Sequence, residues 1–430
     1  MALIVWLTIF IGAFALGYPI AFAMFISSTL YLLIEGLNPA LLLDNMVITF
    51  ENQFILLAIP LFIFAARVMN EGKITDRIFD FTNSVVGPVK GGLGYVNIIA
   101  SIIFAGMTGS QVADVAGLGV VEVKAMVDSG YDKPFACAVT CASATIGPII
   151  PPSIPMIIYS MLSGTSVGYL FLGGVIPGIL LGGLLMVLVY ILSIKRNYPS
   201  KKVVSFAEFL DSLRRGFLPL MAPVILLGGI YGGIFTPTEA AAIAATYALI
   251  LSLIVYKSFG IKKLYEIIID VALSSAVIGF IMAAAFIFSY VIAREEIPVM
   301  ITKGLLNLGI MSNKWMVLLI FNVLFLLLGC FISTTALLVV IVPLAIPIVQ
   351  AMGIDLVHFG VVIVLNLMIG LDTPPYGMSL YIISGVTNTS FSKICKEMVL
   401  FILFEIIVLL ICTYVPEVVL FLPRLLGYMG

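Results

Sequence analysis

Apolar residues fill long runs of this chain, and the polar interruptions between the runs are short. The pattern predicts a long N-terminal segment at roughly 2–35 and a span near 53–70. A polar, amphipathic stretch, "KITDRIFDFTNSVVG", follows and is expected at a surface. An apolar stretch at 92–107 breaks at "GMTGS" and resumes to about 128, and a proline-broken segment covers 134–162. Spans are expected near 168–194, 216–235, 238–256 and 265–292. A second interrupted stretch, 315–350, breaks at "GCFISTT"; a second proline-broken segment covers 356–384, and a last span lies near 398–422. Runs of about 20 apolar residues are long enough to cross a bilayer as helices.

The interruptions recur in register. A shift of 223 places Gly106 on Gly329, Ser110 on Ser333, Gly130 on Gly353, Gly147 on Gly370, and Pro151–Pro152 on Pro374–Pro375. Four spans separate the two proline-broken segments, so these run in opposite directions. The pattern is an inverted repeat, the architecture of secondary transporters whose sites sit on broken helices near the midplane. Charge supports reading 92–128 and 315–350 as re-entrant hairpins. With both returning to the side they came from, 17 of the 21 Lys and Arg fall on one side, Arg67, Lys73, Lys133, Arg196, Lys201, Lys202, Lys263 and Lys396 among them. Only Arg294, Lys303, Lys314 and Arg424 fall on the other. The basic side is the cytoplasmic one.

Composition agrees: of 430 residues, 62% are hydrophobic and 10% charged, against roughly 25% charged in soluble domains. The chain is therefore read as an all-α polytopic membrane protein, multi-pass and surrounded by lipid. The N-terminus lacks a basic n-region and reads as a first span. A net charge of −1 offers nothing to nucleic acid. The single histidine, His358, has no nucleophile motif near it. The five cysteines form no metal-ligand set, and no nucleotide loop is present. No enzyme chemistry is expected.

Breaking a helix inside a membrane frees carbonyls at one half and amides at the other. Such groups are tolerated only in protein or against a wet cavity. There they become ligands: carbonyls and hydroxyls suit a hard cation such as Na⁺, and helix N-termini suit an anion. Hydroxyls stand at each break: Thr108 and Ser110 at the first hairpin tip, Ser143, Thr145 and Ser153 around the first proline pair, Ser333, Thr334 and Thr335 at the second tip, and Thr373 and Ser379 around the second pair. The expected substrate-binding set is Thr108, Ser110, Ser153, Ser333, Thr334 and Asp372. The expected sodium-binding set is Gly106, Ser110, Ser143, Thr145, Gly147, Gly329, Thr335, Gly370 and Thr373. Pro151, Pro152, Pro374 and Pro375 are the helix breaks. A hard cation such as Na⁺ is the expected occupant of the breaks, with no organic cofactor.

An acid within a membrane span marks a functional site by default. Asp372 has cation binding, titration or a hydrogen bond to a substrate hydroxyl open to it, besides satisfaction by helix-end amides. Asp114 is placed between a functional role and a hairpin-stabilising contact. Glu239 closes a capping box in "TPTE" and reads as structural.

"FAGMTGSQVADVAGLG" (104–119), "SATIGPIIPPSIPMIIY" (143–159), "GGIFTPTEAAAIAA" (232–245) and "TPPYGMSLYIISG" (373–385) resemble signatures of the large membrane subunit of tripartite ATP-independent periplasmic (TRAP) transporters. The resemblance runs nearly end to end. It implies a sodium-coupled importer of small organic anions, carboxylates or sialic-acid-like sugar acids, multi-pass in the bacterial inner (cytoplasmic) membrane. It also implies a periplasmic substrate-binding protein that delivers them and a separate small four-helix membrane subunit. An elevator movement of the hairpins and broken helices is implied as well. The corresponding divisions are 1–91, N-terminal scaffold; 92–162, first hairpin and broken helix; 163–312, scaffold with a cytoplasmic loop at 195–215; 313–385, second hairpin and broken helix; and 386–430, C-terminal span. The chain departs from that pattern where relatives often have an acid in the second hairpin, here Ser333, and an aliphatic residue before "TPP", here Asp372. A self-sufficient Na⁺- or H⁺-coupled carboxylate symporter is the alternative.

Overall fold

The computed structural model describes residues 2–38, 40, 47, 50–51, 53–199, 205–307 and 313–430. Lys201 and Lys202, in the middle of the expected cytoplasmic loop, lie outside the described residues, as do 308–312. Every regular element among the described residues is helical. The N-terminal segment differs from the single run expected. It forms two helices packed together, α1 (Ala2–Ala15) and α2 (Ile20–Ile34). Gly17 takes a left-handed φ of +83°, and Pro19 has no amide to carry the ladder onward. Next come α3 (Ala58–Glu71), entered through a 3₁₀ turn, and the amphipathic α4 (Ile74–Val86), which buries Ile74, Ile78 and Phe79.

The first hairpin is α5 (Gly92–Thr108) followed by a second arm that divides at Gly117 into α6 (Gln111–Ala116) and α7 (Leu118–Asp128). The first broken helix is α8 (Lys133–Ala144) and α9 (Ile154–Ser163). The scaffold continues as α10 (Val167–Lys195), α11 (Phe206–Tyr231), α12 (Pro237–Ile250) and α13 (Ile261–Arg294). A short helix unforeseen in the sequence, α14 (Ile297–Asn307), follows. The second hairpin is α15 (Lys314–Gly329) and α16 (Thr334–Ala351), and the second broken helix is α17 (Leu356–Leu371) and α18 (Met378–Thr387). The last span is not straight: α19 (Phe391–Tyr414) and α20 (Glu417–Leu425) meet at 58°, with Pro416 in the joint.

The 223-residue shift holds for whole elements. α14 begins 223 residues after α4, so the surface helix is repeated as well. The inversion is visible in side-chain contacts. Tyr159 in the C-terminal half of α9 donates to the Leu356 carbonyl at the start of α17, 2.7 Å away. Cys137 near the start of α8 lies 3.5 Å from the Thr387 hydroxyl at the end of α18. The broken helices are therefore antiparallel. Each packs on the opposite half: α9 on α16, α18 on α6, α10 on α17, and α19 on α8.

Residues that the charge pattern puts on one side lie together in the fold. Arg196 pairs with Glu397 at 2.8 Å, Tyr198 donates to Asp132 at 2.7 Å, Lys263 pairs with Glu71 at 3.2 Å, and Arg77 sits over the Tyr256 ring. All of these lie beside residues assigned to the cytoplasm. The opposite end gathers the Tyr31–Glu295 hydrogen bond, the Tyr428–Asp355 bond at 2.9 Å and the Trp315–Tyr414 ring contact.

Candidate functional site

Each hairpin tip meets a proline break, and glycine makes the approach possible. Gly109 closes the first tip at φ +58°, and a Cβ there would lie 2.6 Å from the Pro152 carbonyl oxygen. Its own carbonyl accepts from the Ile154 amide at 3.5 Å. In the second half the Gly377 amide donates to the Cys330 carbonyl at 3.3 Å, and Gly329 rests on Gly370. A Cβ on Gly147 would lie 2.5 Å from Asp114 Oδ2, so this glycine is roofed by a carboxylate. Gly106 faces elsewhere: its nearest neighbour is Pro223 of α11, at the seam with the scaffold.

The predicted hydroxyls divide by what they touch. Ser143 Oγ donates to Asn97 Oδ1 at 2.6 Å and lies 3.1 Å from Ser101 Oγ, so it pins α8 to α5. Its repeat-mate Asn366 likewise ties α17 to Asn322 on α15. Ser110 and Ser153 cap α6 and α9. Thr373 returns its hydroxyl to the Ile369 carbonyl. Thr145 bridges the halves: Gln111 Nε2 donates to Thr145 Oγ1 at 3.1 Å, and Thr145 donates to Asp372 Oδ2 at 2.8 Å. Thr108, Thr334 and Ser379 each keep a buried hydroxyl oxygen with no hydrogen-bond partner among the described residues.

A cavity of about 430 Å³ lies between the two tips and the scaffold. Thr108, Ser110, Ser333, Thr334 and Thr335 line it, whereas Ser153, Thr145 and Asp372 do not. The N-termini of α9, α16 and α18 reach it through Ile154, Thr334 and Met378. The scaffold contributes Arg67 and Asn70 from α3 and Ser274 from α13. Among the described residues Arg67 is the only charged one in the lining. It makes no hydrogen bond or ion pair among the described residues.

Sequence reasoning used Arg67 only to mark a side of the membrane and passed over Gln111, Glu122 and Glu405. The signal for Glu405 was present: it is the only charged residue between Glu397 and Glu417. It is fully buried on α19, and both its oxygens lack a hydrogen-bond partner among the described residues.

The family model of the tripartite ATP-independent periplasmic transporter, DctM component, matches residues 7–418. The chain is 40% identical to the sialic acid TRAP transporter large permease protein SiaM of Vibrio cholerae, over 97% of this chain and 98% of that one. It is 38% identical to the C4-dicarboxylate TRAP transporter large permease protein DctM of Pseudomonas aeruginosa, over 88% of each. The crystal structure of the Alcanivorax borkumensis YdaH transporter shares the fold at 14% identity, with a TM-score of 0.66 over 87% of this chain and 88% of that one. The inverted pairs of hairpins and broken helices thus belong to a large permease subunit of the TRAP transporter DctM family.

Proposed function

We propose that the subunit imports a small organic anion, a carboxylate or sialic-acid-like sugar acid, by Na⁺-coupled secondary transport in the bacterial inner membrane. A periplasmic binding protein delivers the substrate, and a separate four-helix membrane subunit completes the scaffold. The observation that carries this reading is the Arg67 guanidinium, unpaired and the sole charge among the described residues lining a cavity that three helix N-termini reach. A guanidinium takes a carboxylate through two parallel hydrogen bonds, and helix N-termini add positive potential. The relatives named for sialic acid, C4-dicarboxylates and isethionate point the same way, since each substrate carries an acid group.

Freed carbonyls and hydroxyls at the tips and breaks would hold Na⁺, those of Thr335, Gly147 and Gly370 among them. The hairpins and broken helices interlock across the halves, while α3, α11 and α13 face them from outside. That division suits an elevator in which the interlocked body slides against the scaffold and the cavity changes sides.

The test is uptake into proteoliposomes containing this chain and its small subunit, with and without an inward Na⁺ gradient and a ligand-loaded binding protein. Accumulation that requires both supports the proposal. Accumulation with Na⁺ alone replaces it by a self-sufficient symporter, and accumulation indifferent to Na⁺ removes sodium coupling. Arg67→Gln should raise KM by about 10- to 100-fold, the worth of a charge-assisted contact, with kcat less affected.

A further inference from the structure

Three apolar helical runs, each long enough to span a bilayer, end in one place on the basic side. Phe54–Glu71 and Pro237–Val255 stop there, and Ile261–Arg294 starts there. The turn after α3 and the turn before α13 are locked together. Ser258 Oγ donates to the Gly72 carbonyl at 2.8 Å, and Ser252 Oγ donates to the Val68 carbonyl at 3.2 Å. The ends of spans mark the depth of lipid headgroups. The two segments that meet, 71–80 and 256–266, hold five cations: Lys73, Arg77, Lys257, Lys262 and Lys263. Their acids are Glu71, Asp76, Asp80 and Glu266. Lys263 bridges Glu71 and Glu266, at 3.2 and 3.6 Å. Lys73, Lys257 and Lys262 are exposed and make no ion pair among the described residues. Arg77 lies flat on the Tyr256 ring, its Cζ 3.9 Å from the centroid, and its Nε is buried with no hydrogen-bond partner among the described residues.

Two of these lysines stand on unusual backbone. Lys73 at φ +55° and Lys257 at φ +49° are left-handed, a conformation that glycine enters freely and other residues rarely adopt. The repeat supplies the comparison. A shift of 223 takes Lys73 to Glu296, which holds the same slot before α14 at φ +50°. The turn therefore fixes the backbone and leaves the choice of side chain open; on the basic side that side chain is a cation. Apolar surface adjoins it, for Ile254, Ile261 and Tyr265 are all exposed. Cations at headgroup depth beside apolar side chains complement an anionic phospholipid, with its phosphate on the lysines and its acyl chains along the helices.

We propose that Lys73, Arg77 and Lys257, with Lys262 beside them, hold the headgroup of an anionic phospholipid whose acyl chains lie along Ile254, Ile261 and Tyr265. The lipid braces the end of α3 against the start of α13, the two helices that carry Arg67 and Ser274 to the cavity.

Native mass spectrometry of the purified chain counts the lipids it retains, with no transport required. Phosphatidylglycerol is the probe and phosphatidylcholine the zwitterionic control. The unmodified chain should retain phosphatidylglycerol and not phosphatidylcholine, and rising salt should strip it. Lys73→Gly with Lys257→Gly puts glycine where the backbone favours it, so the turns are kept while both cations go. Affinity for phosphatidylglycerol should then fall about 30-fold. Arg215→Gln, which removes a cation paired with Asp211 on α11, should leave retention unchanged. Equal retention of the two lipids by the unmodified chain overturns the proposal, and so does unchanged retention of phosphatidylglycerol in the double glycine variant. Displacement by inorganic phosphate alone would make this a phosphate site, and displacement by the small membrane subunit would give the surface to that subunit; either result overturns the lipid as occupant. The comparison of the two lipids needs only the unmodified protein, so it decides the matter even if a variant fails to fold.

Discussion

Gly329 and Gly370 touch backbone to backbone, and the contact is lopsided. A Cβ on Gly370 would lie 2.8 Å from the Cα and carbonyl carbon of Gly329, whereas one on Gly329 would lie 3.3 Å from the Gly370 Cα. Backbone cannot swing aside as a side chain can. Gly370→Ala should therefore push the second hairpin off its break, while Gly329→Ala needs a shift of only a few tenths of an ångström. Overpacking of this kind costs about 1–3 kcal/mol. The expected outcome is uptake strongly reduced in Gly370→Ala and only modestly in Gly329→Ala, with both proteins in the membrane at normal amounts. Equal uptake by the two variants would remove the tip-to-break contact from the mechanism.

Gly147 supplies the comparison in the first half. The atom nearest its missing Cβ is Asp114 Oδ2, the far end of a side chain, at 2.5 Å; the Ala144 carbonyl follows at 3.1 Å. Asp114 can turn away, so Gly147→Ala should cost less than Gly370→Ala. Shortening the acid should relieve the crowding. In a double-mutant cycle, Gly147→Ala in an Asp114→Ala background should lose less thermal stability than in the wild-type background, by about 0.5–3 kcal/mol of coupling. Additive losses would show that the carboxylate does not roof the glycine.

The Arg196–Glu397 pair joins the C-terminal end of α10 to the N-terminal part of α19 at 2.8 Å, with side-chain exposures of 28% and 24%. The opposing case is Arg215–Asp211, an i,i+4 pair on one helix with exposures of 66% and 55%. Solvent screens the second pair more than the first, and Arg196 also lies 3.4 Å from the Tyr198 hydroxyl. Burial works against the Arg196 charge, yet its hydrogen bonds to Glu397 and Tyr198 hold its pKa above the ordinary arginine value. Glu397→Gln should cost about 1–3 kcal/mol in a detergent melt, as for a charge-assisted bond. Asp211→Asn should cost about 0–0.5 kcal/mol, as for an exposed helix pair.

What the sequence disclosed and what it hid follow from one physical distinction. Breaks are local chemistry, and Gly, Pro and hydroxyl residues write them plainly, so both hairpins and both proline pairs were legible. The kink at Gly17–Pro19 was also written, but an unbroken apolar run on each side concealed it. The helix α14 escaped because its partner α4 is polar and carries more charge, so the pair share position but not composition. Glu405 was hidden by the opposite effect: one acid in an otherwise apolar run does not disturb the pattern. Its neighbour Asp372 lies 33 positions earlier (405 − 372) and reaches it only through folding. Arg67 was visible as a charge, but its place on the cavity required α3 to stand against both hairpin tips.

Inversion of the second half has a consequence that labelling can read. Lys262 opens α13 beside the Lys263–Glu71 pair on the basic side, and Met429 lies beyond α20 on the side of Asp355 and Tyr428. Both positions are exposed. Four of the native thiols are buried, and only Cys395 is partly open, so a Cys395→Ser background leaves little to react. In intact cells an impermeant thiol reagent should label Met429→Cys at once and Lys262→Cys only after the inner membrane is permeabilised. The odd number of crossings between those two positions depends on the second hairpin returning to its own side. Were 315–350 a single full span, Met429 would share the cytoplasmic side with Lys262. Protection of both cysteines in intact cells would therefore break the re-entrant reading and, with it, the antiparallel placement of the two proline breaks on which the cavity depends.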